Sequence, residues 1–197
     1  MILLATATIA PSVAPGAGAA NYVIDPDHSN VILRATHLGI GNVDGRFDKF
    51  SGTLEYDPAN VAASKVRIVI DAASIDTNQR TRDDHLRSAD FLDTEKFPEI
   101  TFESTEVRES DPNKIRIAGN LSLHGVTRSM VLIATIRGTT KDADGRNRIA
   151  FDTNAQINRQ DFGMTWNKVV GGNSLVGRII SIFLNVEGLE QIEPPAK

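Results

Sequence analysis

Residues 113–125, NKIRIAGNLSLHG, alternate as an extended strand does. Ile115, Ile117, Leu121 and Leu123 fall on one side, and Arg116, Asn120 and Ser122 on the other. A period of two sends successive side chains to opposite faces of a sheet, so this segment buries one face and wets the other. The alternation recurs on both sides of it. Upstream, NVILRATH sets Val31, Leu33, Ala35 and His37 against Ile32, Arg34 and Thr36, and KVRIVIDAAS sets Val66, Ile68 and Ile70 against Arg67, Val69 and Asp71. EITFESTEV, SMVLIATIRG, RIAFDTNAQIN and RIISIFLNVEG continue it. Turn signals stand between these runs at Asp57-Pro58, Asp111-Pro112-Asn113, Asp142-Ala143-Asp144-Gly145 and Gly171-Gly172-Asn173. Seven or eight short strands joined by such turns predict an all-β antiparallel barrel or sandwich, not parallel βαβ units.

One stretch departs from period two. RTRDDHLRSADF, residues 80–91, lies in a run from Asn78 to Ser88 without Gly or Pro, and Ser74 or Asp76 upstream can cap a helix there. Arg80 with Asp84, and Asp83 with Arg87, stand at i,i+4 and predict modest surface ion pairs. His85, Leu86 and Ala89 form the narrow apolar side, followed by Phe91 and Leu92 as the chain leaves the helix. The expected fold is therefore all-β with one short helix against or capping the sheet.

The chain has 197 residues, 41% of them hydrophobic, which suits one domain with a continuous core. A net charge of −4 without a Lys/Arg-rich run gives no footprint for a nucleic-acid backbone. The absence of cysteine removes disulfides, thiolate catalysis and Cys-based metal motifs. The first residues, MILLATATIAPSVAPGAGA, are uncharged, open on a short apolar run and end in Ala17-Gly18-Ala19, a small-x-small cleavage pattern. Residues 1–19 are read as a signal peptide, residues 20–197 as a single domain, and the destination as periplasmic or secreted. The apolar run is too short to span a bilayer, which takes about 20 apolar residues, and Pro11 and Pro15 interrupt it.

Catalytic motifs are sparse. Gly-x-Ser-x-Gly is absent, no Gly-rich phosphate loop opens a helix, and His28, His37, His85 and His124 are too widely spaced for a local zinc motif. A small barrel can fill its interior with side chains or enclose one apolar ligand. Strands apolar on both faces, such as Met130 and Leu132 against Val131 and Ile133, or Ile180, Ile182 and Leu184 against Ile179 and Phe183, are compatible with a ligand. Read from the residues alone, Phe47, Phe50, Phe97, Phe102, Phe151, Phe162 and Trp166 are plain core before they are a ligand site, because most aromatic side chains simply fill volume.

Four blocks in order carry a resemblance: DPDHSNVILRATHLGIGNVDGRFDKFSGTLEYD, IDTNQRTRDDHLRSADFLDTEKFPEITFES, GNLSLHGVTRSMVL and INRQDFGMTW. Together, over about Tyr22 to Glu190, they resemble the YceI-like family of exported polyisoprenoid-binding proteins. The resemblance implies an extended, lipocalin-like antiparallel β-barrel of about eight strands, with a helix near one end and an apolar tunnel for a polyisoprenoid, an isoprenoid quinone or a similar long-chain amphiphile. It implies no catalytic centre, no metal and no cofactor beyond such a bound lipid, and makes a homodimer plausible. On this basis the expected tunnel wall is Val31, Leu33, Phe47, Leu86, Phe91, Phe102, Ile117, Leu121, Phe162 and Trp166, with Arg82 and His85 at the head-group entrance. Three positions depart from the family pattern: Arg178 stands where an acidic residue is usual, and Arg128 and Ser129 replace the common Lys-Pro. The alternatives are a stress-related interaction protein with a fully packed barrel, and a cryptic hydrolase or metal protein using His85, His37 or His124 with Asp83 or Asp84.

Overall fold

The computed structural model describes residues 19–191, so the expected leader lies outside the described residues except for its last position. The alternating segment NKIRIAGNLSLHG forms β8 (Lys114–Leu123), lying antiparallel between β7 (Glu99–Asp111) and β9 (Val126–Lys141). From β9 the ladder continues through β10 (Asn147–Asn158) to β13 (Val176–Glu190). In the other direction it runs from β7 through β5 (Lys65–Asp71) and β4 (Phe50–Tyr56) to β1 (Ala20–Ile24). β1 also pairs with β13, with Tyr22 opposite Glu190 and Ile24 opposite Gly188, so these eight strands close an antiparallel barrel. Closure removes the exposed edges that an open sheet would leave.

β13 is long enough for two partners. Its last residues hold β1, and its residues Val176 to Asn185 hold β2 (Asn30–His37). A single 3-10 turn, Pro26–His28, separates β1 from β2, with Asp25 accepting from the Asp27 N–H at 3.1 Å. β2 pairs with β3 (Gly41–Phe47), and β3 with the two-residue β6 (Ile75–Asp76). The remaining strands, β11 (Val169–Val170) and β12 (Asn173–Ser174), form a separate hairpin.

The helix is shorter than the 78–88 expected. α1 spans Arg80–Arg87, because Asn78 takes a left-handed φ of 63° and breaks the chain just before it. That break also moves the cap: the Gln79 side chain accepts from the Arg82 N–H at 2.6 Å. Asp76 accepts instead from the Asn78 N–H, and the Ser74 hydroxyl donates to Asp71 O. Arg80 reaches Asp84 at 4.0 Å as expected, but Arg87 pairs with Asp84 at 3.1 Å and not with Asp83. Asp83 is buried and turned toward Thr77, and Ala89 is exposed, so the helix side described as apolar is carried by His85 and Leu86.

One hairpin shows how tightly backbone chemistry sets the register. β8 and β9 are joined by His124 (φ 52°) and Gly125 (φ 72°), a two-residue turn with both residues left-handed. A Cβ on Gly125 would lie 2.4 Å from the Phe97 ring. Gly125→Ala is therefore expected to cost about 2–4 kcal/mol from the left-handed backbone and the ring clash together. Urea unfolding measures it, and a loss below about 0.5 kcal/mol would mean that the turn relaxes freely.

Candidate functional site

Inward-facing side chains fill one end of the barrel and leave the other hollow. Tyr22, Tyr56, Val107, Ile115, Ile149 and Phe151 are buried at the filled end, where Tyr56 meets Phe151 edge-on at 6.0 Å. Burial raises the pKa of both tyrosines, so their hydroxyls stay protonated. The hollow end holds a cavity of about 340 Å³ whose wall is overwhelmingly apolar.

The period of two selects most of the side chains that reach it, although Ile32 and Thr36 of β2 also touch it. Val31, Leu33, Ala35 and His37 of β2 line the cavity, as do Ile68 and Ile70 of β5 and Ile180, Ile182 and Leu184 of β13. Ile179 and Phe183, of the opposite parity on β13, are exposed. On β9, Met130 and Leu132 line the cavity while Val131 and Ile133 lie on the outer surface.

Of the expected wall residues, Val31, Leu33, Phe47, Leu86, Phe91, Phe102, Leu121 and Trp166 surround the cavity, and so do Arg82 and His85. Ile117 and Phe162 do not belong to its lining. Ile117 faces inward on β8, but it lies toward the filled end opposite Val107. The Phe102 ring lies over Gly119, two residues along; a Cβ there would stand 2.5 Å from Phe102 Cζ, so only glycine admits this wall-forming ring. Phe162 is buried in a 3-10 turn, Arg159–Phe162, and its carbonyl meets His124 Nδ1 at 2.9 Å.

His37 and Arg82 are exposed and also line the cavity, which marks the α1 and β2–β3 side as the mouth. Arg82 is fixed there by Thr77: its Nε donates to Thr77 Oγ1 and its second terminal nitrogen to Thr77 O, both at 2.7 Å. The His85 ring stands edge-on to Trp166 at 4.7 Å and to Phe91 at 5.0 Å, and His85 Nε2 contacts Asp90 Oδ2 at 2.9 Å. Phe91 and Trp166 are themselves 5.1 Å apart, so three rings form one side of the mouth.

The cavity wall also contains Arg159, which the sequence reading missed although the INRQDFGMTW block includes it. It is 2% exposed, donates to Gly177 O, Met164 O and Val176 O, and lies 5.8 Å from the Phe91 ring centre. Burial lowers its pKa, though an arginine remains a cation at neutral pH. Nothing in the alternation flags such a residue, because it sits in a turn.

The residues invoked for cryptic hydrolysis or metal binding have separate tasks. Asp83 faces Thr77, Asp84 pairs with Arg87, His85 with Asp90, and His124 occupies a turn. Among the described residues one trio has metal-like spacing, Asp25, His28 and Glu187, with ligand atoms within 4.8 Å of one another. The Arg148 guanidinium already bonds both carboxylates, to Asp25 Oδ2 at 2.8 Å and to Glu187 Oε1, so a cation is built into that cluster. Burial works to raise the Asp25 pKa, but the bonds from Arg148 and His28 outweigh it and hold the carboxyl below its ordinary value. A depressed carboxyl pKa stabilises the fold above the unfolded value of about 3.9 and loses that contribution as pH falls through the folded value. Melting temperature should therefore drop below about pH 4 in the native protein. The acid-sensitive component should shrink in Arg148→Met, and superimposable pH profiles would count against it.

No helix among the described residues is long and apolar enough to cross a membrane. The YceI-like domain family matches residues 22–188. A UPF0312 protein of Vibrio cholerae is 40% identical over 177 residues, covering 89% of this chain and 90% of its own. A Campylobacter jejuni YceI protein of known crystal structure is 33% identical, with a TM-score of 0.66 over 80% of this chain and 90% of its own. A polyisoprenoid binding domain from Saccharophagus degradans, implicated in plant cell wall breakdown, shares the fold at 15% identity, with a TM-score of 0.66 over 86% of this chain and 98% of its own. With the family match running from β1 into β13 and relatives of similar length on either side of one-third identity, the chain belongs to the YceI-like family.

Proposed function

We propose that this protein is an exported, non-enzymatic binder that stores or transports a polyisoprenoid, an isoprenoid quinone or a similar long-chain amphiphile. The observation that carries the reading is the apolar cavity of about 340 Å³, hollow on one side of an otherwise filled barrel and open beside Arg82 and His85. Its size falls within the range of about 300–1,000 Å³ usual for small-molecule sites. Each CH2-sized group moved from water into such a wall returns about 0.8 kcal/mol before ordering and association costs. The interior needs little polar specificity to hold a long chain, while a head group needs the hydrogen-bonding groups of the mouth. The fold shared with a polyisoprenoid binding domain supports the same reading. A fully packed barrel acting only through its surface has to account for space that the side chains leave unfilled.

Native mass spectrometry of protein exported with its own leader, followed by organic extraction, tests the proposal. A stoichiometric long-chain amphiphile is expected. An empty protein that also refuses added isoprenoid alcohols would overturn it.

A further inference from the structure

The cavity opens beside two turns with apolar, exposed tips. One is Leu38-Gly39-Ile40, between β2 and β3, where Ile40 is 92% exposed. The other is the β11–β12 hairpin, where Val169 is 70% and Val170 is 44% exposed. The two are neighbours: the Leu38 N–H donates to Leu175 O at 3.2 Å, and Asn173 Oδ1 lies 3.7 Å from the place a Gly39 Cβ would occupy. Both are rooted in the mouth, since His37, Leu175 and Val176 line the cavity.

A single exposed aliphatic residue is ordinary, but three on adjacent tips beside an apolar opening form a surface whose burial would be favourable. The local charge points to what buries it. The whole chain carries −4, yet residues 162–186 contain Lys168 and Arg178 and no Asp or Glu, and residues 35–43 contain no acid either. Lys168 and Arg178 are both exposed. The flanking acids are engaged elsewhere, Asp44 by Arg34 at 2.6 Å and Asp90 by His85 at 2.9 Å, while Asp161 Oδ1 accepts from Asn158 at 3.2 Å. Apolar residues that can enter the acyl boundary, beside cations that meet anionic head groups, are the two ingredients of interfacial membrane binding. The other apolar patch, Ile32, Phe183 and Ile133 on the outer barrel face, has a cation of its own in Arg34, 5.5 Å from the Phe183 ring, but Asp44 already pairs with that guanidinium at 2.6 Å.

We propose that the tips carrying Ile40, Val169 and Val170, with Lys168 and Arg178, form a docking surface for anionic membranes that sets the cavity mouth against the lipid. An amphiphile then passes between bilayer and barrel with little of its chain exposed to water. This use of the surface rests on the proposed carrier function, but the membrane contact can be measured without it.

The full chain is incubated with phosphatidylcholine vesicles, with or without phosphatidylglycerol, and sedimented; uptake of geranylgeraniol added from ethanol is measured in parallel. The native protein should pellet with the anionic vesicles, with affinity rising about fivefold for each basic residue that reaches the surface and falling in high salt. The double variant Ile40→Asp, Val169→Asp should lose at least tenfold in vesicle affinity while keeping its melting temperature and its geranylgeraniol uptake. Native protein that stays in the supernatant, or a double variant that pellets equally well, overturns the docking surface. Self-association abolished by the same substitutions without vesicle binding overturns it in favour of a second copy of the chain. Vesicle binding lost as expected, with no geranylgeraniol taken up by either protein, upholds the docking surface and overturns the carrier reading.

Discussion

Ala155→Phe is expected to weaken uptake of a long-chain amphiphile by about a hundredfold or more while the barrel still folds. Ala155 is a cavity-lining residue of β10, opposite Ile182 of β13, where its methyl group leaves the space in front of it open. A phenyl ring at this position occupies room that the ligand chain would take. Excluding about four CH2-sized groups from the cavity forfeits about 3 kcal/mol, or more than a hundredfold in affinity. Overpacking ordinarily costs about 1–3 kcal/mol, and the adjoining cavity limits that cost here. Trp166, the single tryptophan, lies in the cavity wall, so quenching of its fluorescence by an added isoprenoid quinone reports occupancy directly. Gln156→Phe, one residue along and exposed, is the control and should bind like the native protein. Equal quenching in Ala155→Phe and native protein would place the ligand outside the cavity.

The largest stability effect is expected from Asp83→Ala. Asp83 is 6% exposed and its Oδ1 accepts both the Thr77 N–H, at 2.9 Å, and the Thr77 hydroxyl hydrogen. Thr77 in turn accepts the two bonds from Arg82, so this one threonine ties α1 to the end of β6. Removing the carboxylate leaves two donors of a buried residue without their acceptor, at about 1–3 kcal/mol each, or about 2–5 kcal/mol in all. That is a large part of the roughly 5–15 kcal/mol that stabilises a typical domain. Asp83→Asn keeps an acceptor oxygen and should lose less. Arg80→Ala, which removes an exposed pair, should stay within about 0.5 kcal/mol. Denaturant unfolding of the three variants measures the order, and an Asp83→Ala loss as small as that of Arg80→Ala would return Asp83 to the surface role its i,i+4 spacing with Arg87 implied.

The contrast between Asp83 and the strand residues shows what a sequence makes visible. Parity along β2, β9 and β13 is a local property, so the inward positions of Leu33, Leu132 and Ile182 could be read directly from alternation. How deep an inward residue lies is not local. Ile117 and Leu121 share a face of β8, yet only Leu121 reaches the cavity, because Gly119 between them admits the ring of Phe102 from the adjacent strand. Asp83 looked like half of an ion pair because helical spacing ignores the left-handed Asn78, which brings Thr77 back over the helix. Arg159 was invisible for a related reason: its bonds run to carbonyls of residues 164, 176 and 177, which no periodicity connects to it. The family blocks contained these residues without assigning their geometry.

The division of β13 between β1 and β2 has a mechanical consequence. At the filled end the hydrogen-bonded hoop is unbroken, whereas the β2–β3 extension stops at β6, which pairs with β3 alone. Around the cavity the wall is thus a split sleeve, with α1 following β6 along the slit and no backbone ladder from β6 across to β7. Widening such a sleeve would require moving only side chains and one short helix, while every rung of the barrel at its base stayed paired.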